Sequence, residues 1–412
     1  MDTQDVWTRC IALVDMQAFF PSCEKVDFPE LKNKPVVVIN GNSGTTIISS
    51  CYIARSYGIR TGMHLKEAYS LCPDIVIRSS RPNRYSEISA NIMNAIKNIT
   101  PDVEVFSIDE CFMDLKPVLS LYKSVENIAT LIRKIVFEVS GGIVCSIGIS
   151  EGKLTAKFCA GLNKGKTTIV PPHQIKDYIA NHDLAKMCGI GPSLVNYLNS
   201  KGYYKCGDLE HAPKNLLSSI RGDTGARLQS ACLGHDPVPV NTKYQKPKSI
   251  GHSKVLPPKT TNRNQIEGVL HQLAHRLTRR LRSQDFVTPR VAIFLQAQRH
   301  CIKKVYNFEH NTSSDTNFNK SIIEHLKLWK GEPLYKVGLA CDKLYDKDKG
   351  QIDMFATSDS KSSRIDAVKD AIANKFGKDK CRYATELNAD DMNMIPVIAF
   401  NFDATSKNKN SL

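Results

Sequence analysis

Three carboxylates stand out for where they sit in the chain. Asp15 closes the apolar run CIALVD (10–15), as a buried strand does when it delivers an acid to a site. Asp109 and Glu110 lie in SIDECF, a turn between two strand-like runs, VEVF (103–106) and CFMDL (111–115). If these strands lie side by side, the three acids converge and repel one another unless a cation neutralises them. Oxygen-only ligands suit Mg²⁺, which also bridges substrate phosphates. Two such ions about 3.5–4 Å apart stabilise both the attacking and the leaving oxygen of an in-line displacement, the chemistry of nucleotidyl transfer. The surroundings suit a triphosphate. Phe19 and Phe20 follow Asp15 closely, Tyr52 and Arg55 occupy a turn-to-helix segment, and Lys164 and Lys166 flank a glycine. Cations there would offset phosphate charge and steady a leaving pyrophosphate. The plainer alternatives are a solvated strand end for Asp15, an ordinary hairpin turn for the acid pair, and a core aromatic for Phe20.

The elements that must position these groups follow from apolar periodicity. Runs 10–15 and 35–39 (PVVVI) read as strands, and 51–71 carries helical spacing interrupted by Gly58 and Gly62. YSEISANIMNAIKN places Ile88, Ile92 and Ile96 on one helical face. Residues 124–138 form a second amphipathic helix, with Val125, Ile128, Leu131, Ile132 and Ile135 inward. A strand at 143–149, a helix at 153–163 and a strand at 167–170 complete a βαββαβ order, the split arrangement of a ferredoxin-like sheet. Short helices and tight turns run from 171 to 233, and DPVPVNTKYQKP (236–247) reads as a linker. A small α+β unit follows: strand 249–255, helix 262–284, strands 289–296 and 301–308, helix 317–329 and strand 335–343. Residues 344–363 are polar apart from 351–355, and a helix at 364–376 precedes the last residues.

Composition narrows the classes. With 412 residues several domains are expected. No apolar run approaches the ~20 residues of a membrane span, and the polar N-terminus reads as no secretory signal, so a cytosolic protein is expected. The thirteen cysteines are spread singly from Cys10 to Cys381 without a CxxC pair, which points to reduced thiols and no structural metal. A net charge of +15 suits either a polyanionic partner or simple solubility.

Four segments then resemble the Y-family (translesion) DNA polymerases, in the family's order. LVDMQAFFPSCE (13–24) is similar to their first motif and SSCYIARSYGIRTGM (49–63) to their fingers motif. FSIDECFMDL (106–115) is similar to their second acidic motif and GISEGKLTAKFCAGLNKG (148–165) to their lysine-bearing segment. The resemblance runs through roughly the first 345 residues. It implies an α+β multidomain fold: a right-hand polymerase with a ferredoxin-like palm (1–22 and 81–171), small fingers (23–80), a helical thumb (172–235) and, after the linker, an α+β little finger (248–345). It implies Asp15, Asp109 and Glu110 as ligands of two Mg²⁺ ions, with the carbonyl of Met16 helping. Phe20 falls at the steric gate that rejects a ribose hydroxyl, with Phe19, Tyr52, Arg55 and Lys164 around the incoming dNTP. Lys166 has no such match and is expected to face solvent. Gln17 departs from the acid often found in the polymerase-IV-like branch, while the helix RIDAVKDAIANKFG (364–377) is reminiscent of UmuC-like members. Low fidelity, tolerance of damaged templates and a place in the SOS response to DNA damage are further implications.

For primed template DNA, CGIGPSLVNYLNSKGYYKCGDL (188–209) reads as a helix–hairpin–helix, or else a plain αα-corner. Gly189 and Gly191 permit a turn whose N–H groups face a phosphate, with Lys201 and Lys205 nearby. The helix 262–284 bears His275, Arg276, Arg279, Arg280 and Arg282, either a solvated face or part of a duplex-binding unit. Lys248 and Lys254 in KPKSIGHSK, with Lys243 and Lys246, fit the same surface. Gln351, Ile352, Asp353, Met354 and Phe355 resemble the pentapeptide that docks on a bacterial-type sliding clamp, within a C-terminal tail and helix spanning 346–412. UmuD-like and RecA-like proteins are further candidate partners. Two rival readings remain: a nucleotidyl cyclase, which shares the palm and paired acids, and a catalytically dead scaffold that binds DNA and clamp.

Overall fold

Strand β1 (Ile11–Met16) reads as an unbroken apolar run because both of its faces are covered. Ala12, Val14 and Met16 join one large core, while Ile11 and Leu13 pack with Phe112, Ala156 and Ala160 on the other side. The structure, a computed structural model, describes residues 7–41, 45–220, 224–243, 246–347, 359–377 and 380–389. These divide into two compact units, one ending in the 236–243 segment and the other beginning at 246.

In the first unit, α1 (Phe19–Asp27) follows β1. A small sheet comes next, from β2 (Val36–Ile39), β3 (Ile47–Ser50) and β4 (Val76–Ser79), with α2 (Tyr52–Ser56) and α3 (Leu65–Leu71) between β3 and β4. The single helical stretch expected over 51–71 is thus two helices. Gly58 and Gly62 break it with φ of 86° and 90°, a left-handed backbone that glycine adopts without a Cβ clash. The chain returns through α4 (Pro82–Ile96), β5 (Val103–Val105), β6 (Glu110–Asp114), a short α5 (Leu119–Tyr122), α6 (Val125–Ser140), β7 (Cys145–Ser150), α7 (Lys153–Leu162) and β8 (Thr167–Ile169). The main sheet runs β5-β6-β1-β7-β8, antiparallel except at β7–β8, which is the strand order of a split βαβ sheet. Helices α4 and α6 pack against one face through Ile88, Ile92, Ile128 and Ile132. The Ser124 hydroxyl caps α6 and Gly141 ends it in the left-handed region. Helix α7 lies directly on the other face. A Cβ on Gly148 of β7 would stand 2.0 Å from the Ala156 carbonyl, so only glycine allows this approach.

Helices α8 (Ile175–Ala180), α9 (Pro192–Asn199), α10 (Lys214–Ser219) and α11 (Thr224–Cys232) form a separate small core around Leu184, Leu198 and Leu209. Around the glycine turn at 189–191 there is one regular helix, α9. The flanking segments Leu184–Lys186 and Cys206–His211 are 3₁₀ turns. The expected linker is not free at its start. Asp236 accepts the Leu154 N–H at 2.7 Å, Arg9 donates to the Val238 carbonyl at 2.6 Å, and the Asn241 N–H donates to Glu104 at 2.6 Å.

The second unit is an antiparallel sheet in the order β11-β10-β12-β9. Its elements are β9 (Ile250–Thr260), α12 (Arg263–Ser283), β10 (Phe286–Ala297), β11 (Cys301–Thr312), α13 (Asp315–Leu326), β12 (Leu334–Cys341), β13 (Tyr345–Asp346), α14 (Asp359–Phe376) and α15 (Ala384–Leu387). Strand β9 runs through Pro257 and Pro258, five residues past its expected end, because it is an edge strand on which proline forfeits no ladder bond. Helices α14 and α15 pack on this unit, so the described residues after 358 are docked on it rather than forming a free tail. The pentapeptide 351–355 lies outside the described residues. Among the described residues no helix is long and apolar enough to cross a membrane.

Candidate active site

Pairing brings two of the acids together. Asp15 stands directly opposite Glu110 in the β1–β6 ladder, so both side chains leave the same sheet face. Glu110 is the first residue of β6 rather than part of a turn, and Asp109 precedes it, its carbonyl accepting the Met16 N–H at 2.9 Å. Ser107 donates to the Asp109 carboxylate at 2.5 Å. Lys164 donates to Asp15 at 2.6 Å, and Lys157 donates to both oxygens of Glu110 at 2.7 and 2.9 Å. Burial raises the Asp109 carboxyl above its ordinary pKa, with the negative charge of Asp15 adding to the effect against the Ser107 hydrogen bond. Burial raises Glu110 as well, opposed by Lys157. Burial works against the charge of Lys164, but its hydrogen bond to Asp15 together with the negative charges around it outweighs this and its pKa is raised.

The donor set fits a hard divalent cation: three carboxylates with no nitrogen or sulfur among them, held at one sheet end and already drawing ammonium groups. Among the described residues no three acid, histidine or cysteine side chains stand together as a finished metal cage. Two of the carboxylates are engaged by Lys164 and Lys157 instead.

Asp15, Met16, Phe19, Phe20, Tyr52, Arg55, Asp109 and Lys164 line one open cleft of about 270 Å³, together with Gln17, Ser49 and Thr61. Glu110 sits beside that cleft, turned toward Lys157. Phe19 is mostly core, 3% exposed, whereas Phe20 is half-buried and stacks on Tyr85 with ring centroids 4.7 Å apart. Tyr85 in turn donates to Glu24 at 2.7 Å, a fully buried carboxylate also held by Arg78 and Arg81. The Arg55 guanidinium lies over the Tyr52 ring and donates to the Ser50 carbonyl at 2.9 Å. Gln17 is buried, where its side chain bridges Ser146 and the Tyr52 hydroxyl. Lys166 is exposed, as expected. Lys157 is a site residue that the motifs did not single out. Its four-residue spacing from Lys153, which puts both on one helix face, was the available signal.

Of the expected DNA contacts, Gly189 (φ 88°) and Gly191, which precedes α9, are exposed with open space around them. Lys201, Lys205, Lys243, Lys246 and Lys248 are exposed too. Lys254 is not. It alternates with Ile250 and Leu256 on the helix-facing side of β9 and is 6% exposed, so it cannot present its ammonium to a duplex. Nor do all the cations of α12 face outward. His275 and Arg282 pair with the buried Asp315 at 2.8 and 3.0 Å, Arg282 forks onto Asp370, and Arg279 donates to Asn374. The reason is α14, whose acids cover that side of α12.

A model of the impB/mucB/samB family matches residues 14–161, and one of that family's C-terminal domain matches 247–354. Curated relatives include DNA polymerase IV 2 of Bacillus subtilis (strain 168), 29% identical over 92% of this chain and 95% of its own length. DNA polymerase IV of Pelotomaculum thermopropionicum is 30% identical, covering 92% of this chain and 96% of its own. DNA polymerase IV of Desulfotalea psychrophila is 32% identical over 72% and 82%.

Proposed function

The chain belongs to the impB/mucB/samB family, Y-family DNA polymerases of DinB-like type, and from that premise we propose how its residues carry out DNA-directed translesion synthesis. The family's chemistry uses divalent metal ions, and Asp15, Asp109 and Glu110 are our ligands for two Mg²⁺ ions, with the Met16 carbonyl assisting. When bound, the ions stabilise charge on the attacking 3′ oxygen and on the leaving pyrophosphate. Lys164 and Lys157 would then be released from Asp15 and Glu110. Lys164, Arg55 and Tyr52 grip the triphosphate, and their charge and hydrogen bonds stabilise the transition state more than the bound substrate. Phe20, backed by Tyr85, meets C2′ of the sugar and excludes ribonucleotides.

In this assignment the five-stranded sheet is the palm, residues 23–80 the fingers, 172–235 the thumb and the second unit the little finger. Exposed Lys201, Lys205 and the Gly189–Gly191 turn hold the duplex backbone, which positions DNA without reading sequence. The open face of the second sheet, with Lys303 and Lys336 near Phe294, docks on the duplex. Residues 351–355 recruit a sliding clamp.

The observation that carries the reading is the Asp15–Glu110 pairing at the mouth of a cleft that also holds Asp109, Phe20, Tyr52, Arg55 and Lys164. The test is primer extension with Mg²⁺ and dNTPs on plain and abasic templates. The parent should extend and pass the lesion. Asp109→Ala should lose extension while still binding primed DNA, because the basic surfaces remain. Extension by Asp109→Ala at the parental rate would remove the acids from the mechanism.

A further inference from the structure

The basic residues of α12 divide by side. Arg279 and Arg282 are satisfied by α14 through Asn374 and Asp370, and by Asp315. Arg276 and Arg280, one turn apart on the side toward β9, are different: among the described residues no hydrogen bond or ion pair holds either guanidinium. Beside them stands His252 of β9, on the helix-facing side of that strand because it is paired with the buried Leu339. The Nε of Arg280 and the Nε2 of His252 are both shut off from solvent without a hydrogen-bond partner among the described residues. Burial, joined by the charges of Arg280 and Arg276, lowers the His252 pKa to about 4.

Such an arrangement costs free energy as it stands. Buried donors are normally satisfied, and an unmet guanidinium N–H carries its full desolvation penalty. Clustered cations with no acid paired to them among the described residues add repulsion. Both costs vanish when an oxyanion enters. Two guanidinium groups and an imidazole offer planar and single N–H donors to several oxygens at once, a set that suits phosphate. We propose that His252, Arg276 and Arg280 form a phosphate site at the β9–α12 seam, engaging a backbone phosphate of the bound nucleic acid. This rests on reading the second unit as duplex-binding. It adds a contact on the helix side of the sheet, apart from the open face that bears Lys303 and Lys336. The same chemistry would accept a free polyphosphate.

The experiment labels the full-length protein with ¹³C-histidine and assigns the His252 ring by its loss in His252→Gln. Primed DNA and inorganic tripolyphosphate are then titrated separately. In parallel, DNA affinity is measured against salt for the parent, for Arg276→Ala/Arg280→Ala and for Lys303→Ala/Lys336→Ala. The proposal expects the His252 signal to move on adding DNA. It also expects the double arginine variant to bind more weakly, with a log K against log salt slope smaller by about 1, the change for one fewer phosphate neutralised. A signal that moves with tripolyphosphate but not DNA keeps the site and makes its ligand a free anion. A signal that moves with neither overturns the site. If it stays still while the lysine variant loses affinity, the site alone has failed; if the lysine variant also binds normally, the duplex-binding reading of this unit has failed with it.

Discussion

The gate role proposed for Phe20 rests on more than its residue type. By residue type it is equally a core aromatic, and the structure gives it some of that character, since it stacks on Tyr85. What differs is that its other edge opens to the cleft that holds Asp15 and Asp109. A gate works only if it cannot yield, and the Phe20–Tyr85–Glu24 chain, closed by Arg78 and Arg81, resists displacement. Phe20→Ala should therefore relax sugar discrimination by roughly 10–200-fold, the worth of lost steric exclusion in a pocket. Comparing incorporation of dATP and ATP opposite the same template base checks this; unchanged discrimination would return Phe20 to the core. Gln17 is legible in the same terms. Where a carboxylate would have added charge to the site, an amide ties Ser146 to Tyr52 and leaves the acids proposed as metal ligands at three.

Among elements, α7 and α14 each depend on a partner distant in sequence. Helix α7 begins at Gly152, which has no side chain to cap it, and Asp236 from the following segment supplies the missing acceptor to the Leu154 N–H. Asp236→Ala should cost about 0.5–2 kcal/mol in unfolding free energy and make residues 236–243 more sensitive to protease; a parental melting curve and digestion pattern would count against the cap. Helix α14 is held by Asp315, whose burial opposes ionisation but whose bonds from His275 and nearby Arg282 keep its carboxyl far below the ordinary range. A depressed carboxyl contributes stability above its unfolded pKa of about 3.9 and loses it as pH falls toward the folded value. The second unit should thus weaken progressively below about pH 4. Asp315→Asn should flatten that acid limb and cost about 3–5 kcal/mol at neutral pH, because half-buried Arg282 and buried Lys369 each lose one of their acids and His275 loses its own. Denaturant melts across pH decide the point.

At the scale of the whole chain, the DNA contacts proposed for the two units lie on different surfaces, and the pentapeptide Gln351–Phe355 falls in sequence between β13 and the docked α14. Replacing Gln351 and Phe355 by Ala should leave distributive extension intact and abolish stimulation by a clamp; stimulation that survives would dismiss this motif. Much of the molecule was legible from residue order alone. The acids, the lysine segment and the alternation of strands and helices are local patterns, and local patterns survive without coordinates, as β1, α4, α6 and β7 confirm. Strands β3 (IISS) and β4 (VIRS) escaped because only half of each is apolar, unlike the equally short β2 (VVVI), and β9 was cut short because its prolines mislead until the strand is known to be an edge. A charged side chain's partner is a different kind of fact. Nothing in the spacing of Arg276, Arg279, Arg280 and Arg282 tells which will be covered by α14, nor that Lys254 points inward while Lys248 points out. Sequence determined which groups this protein has for its chemistry and in what order; tertiary structure decided which of their charges are already spent on one another, because electrostatic pairing depends on distance in space.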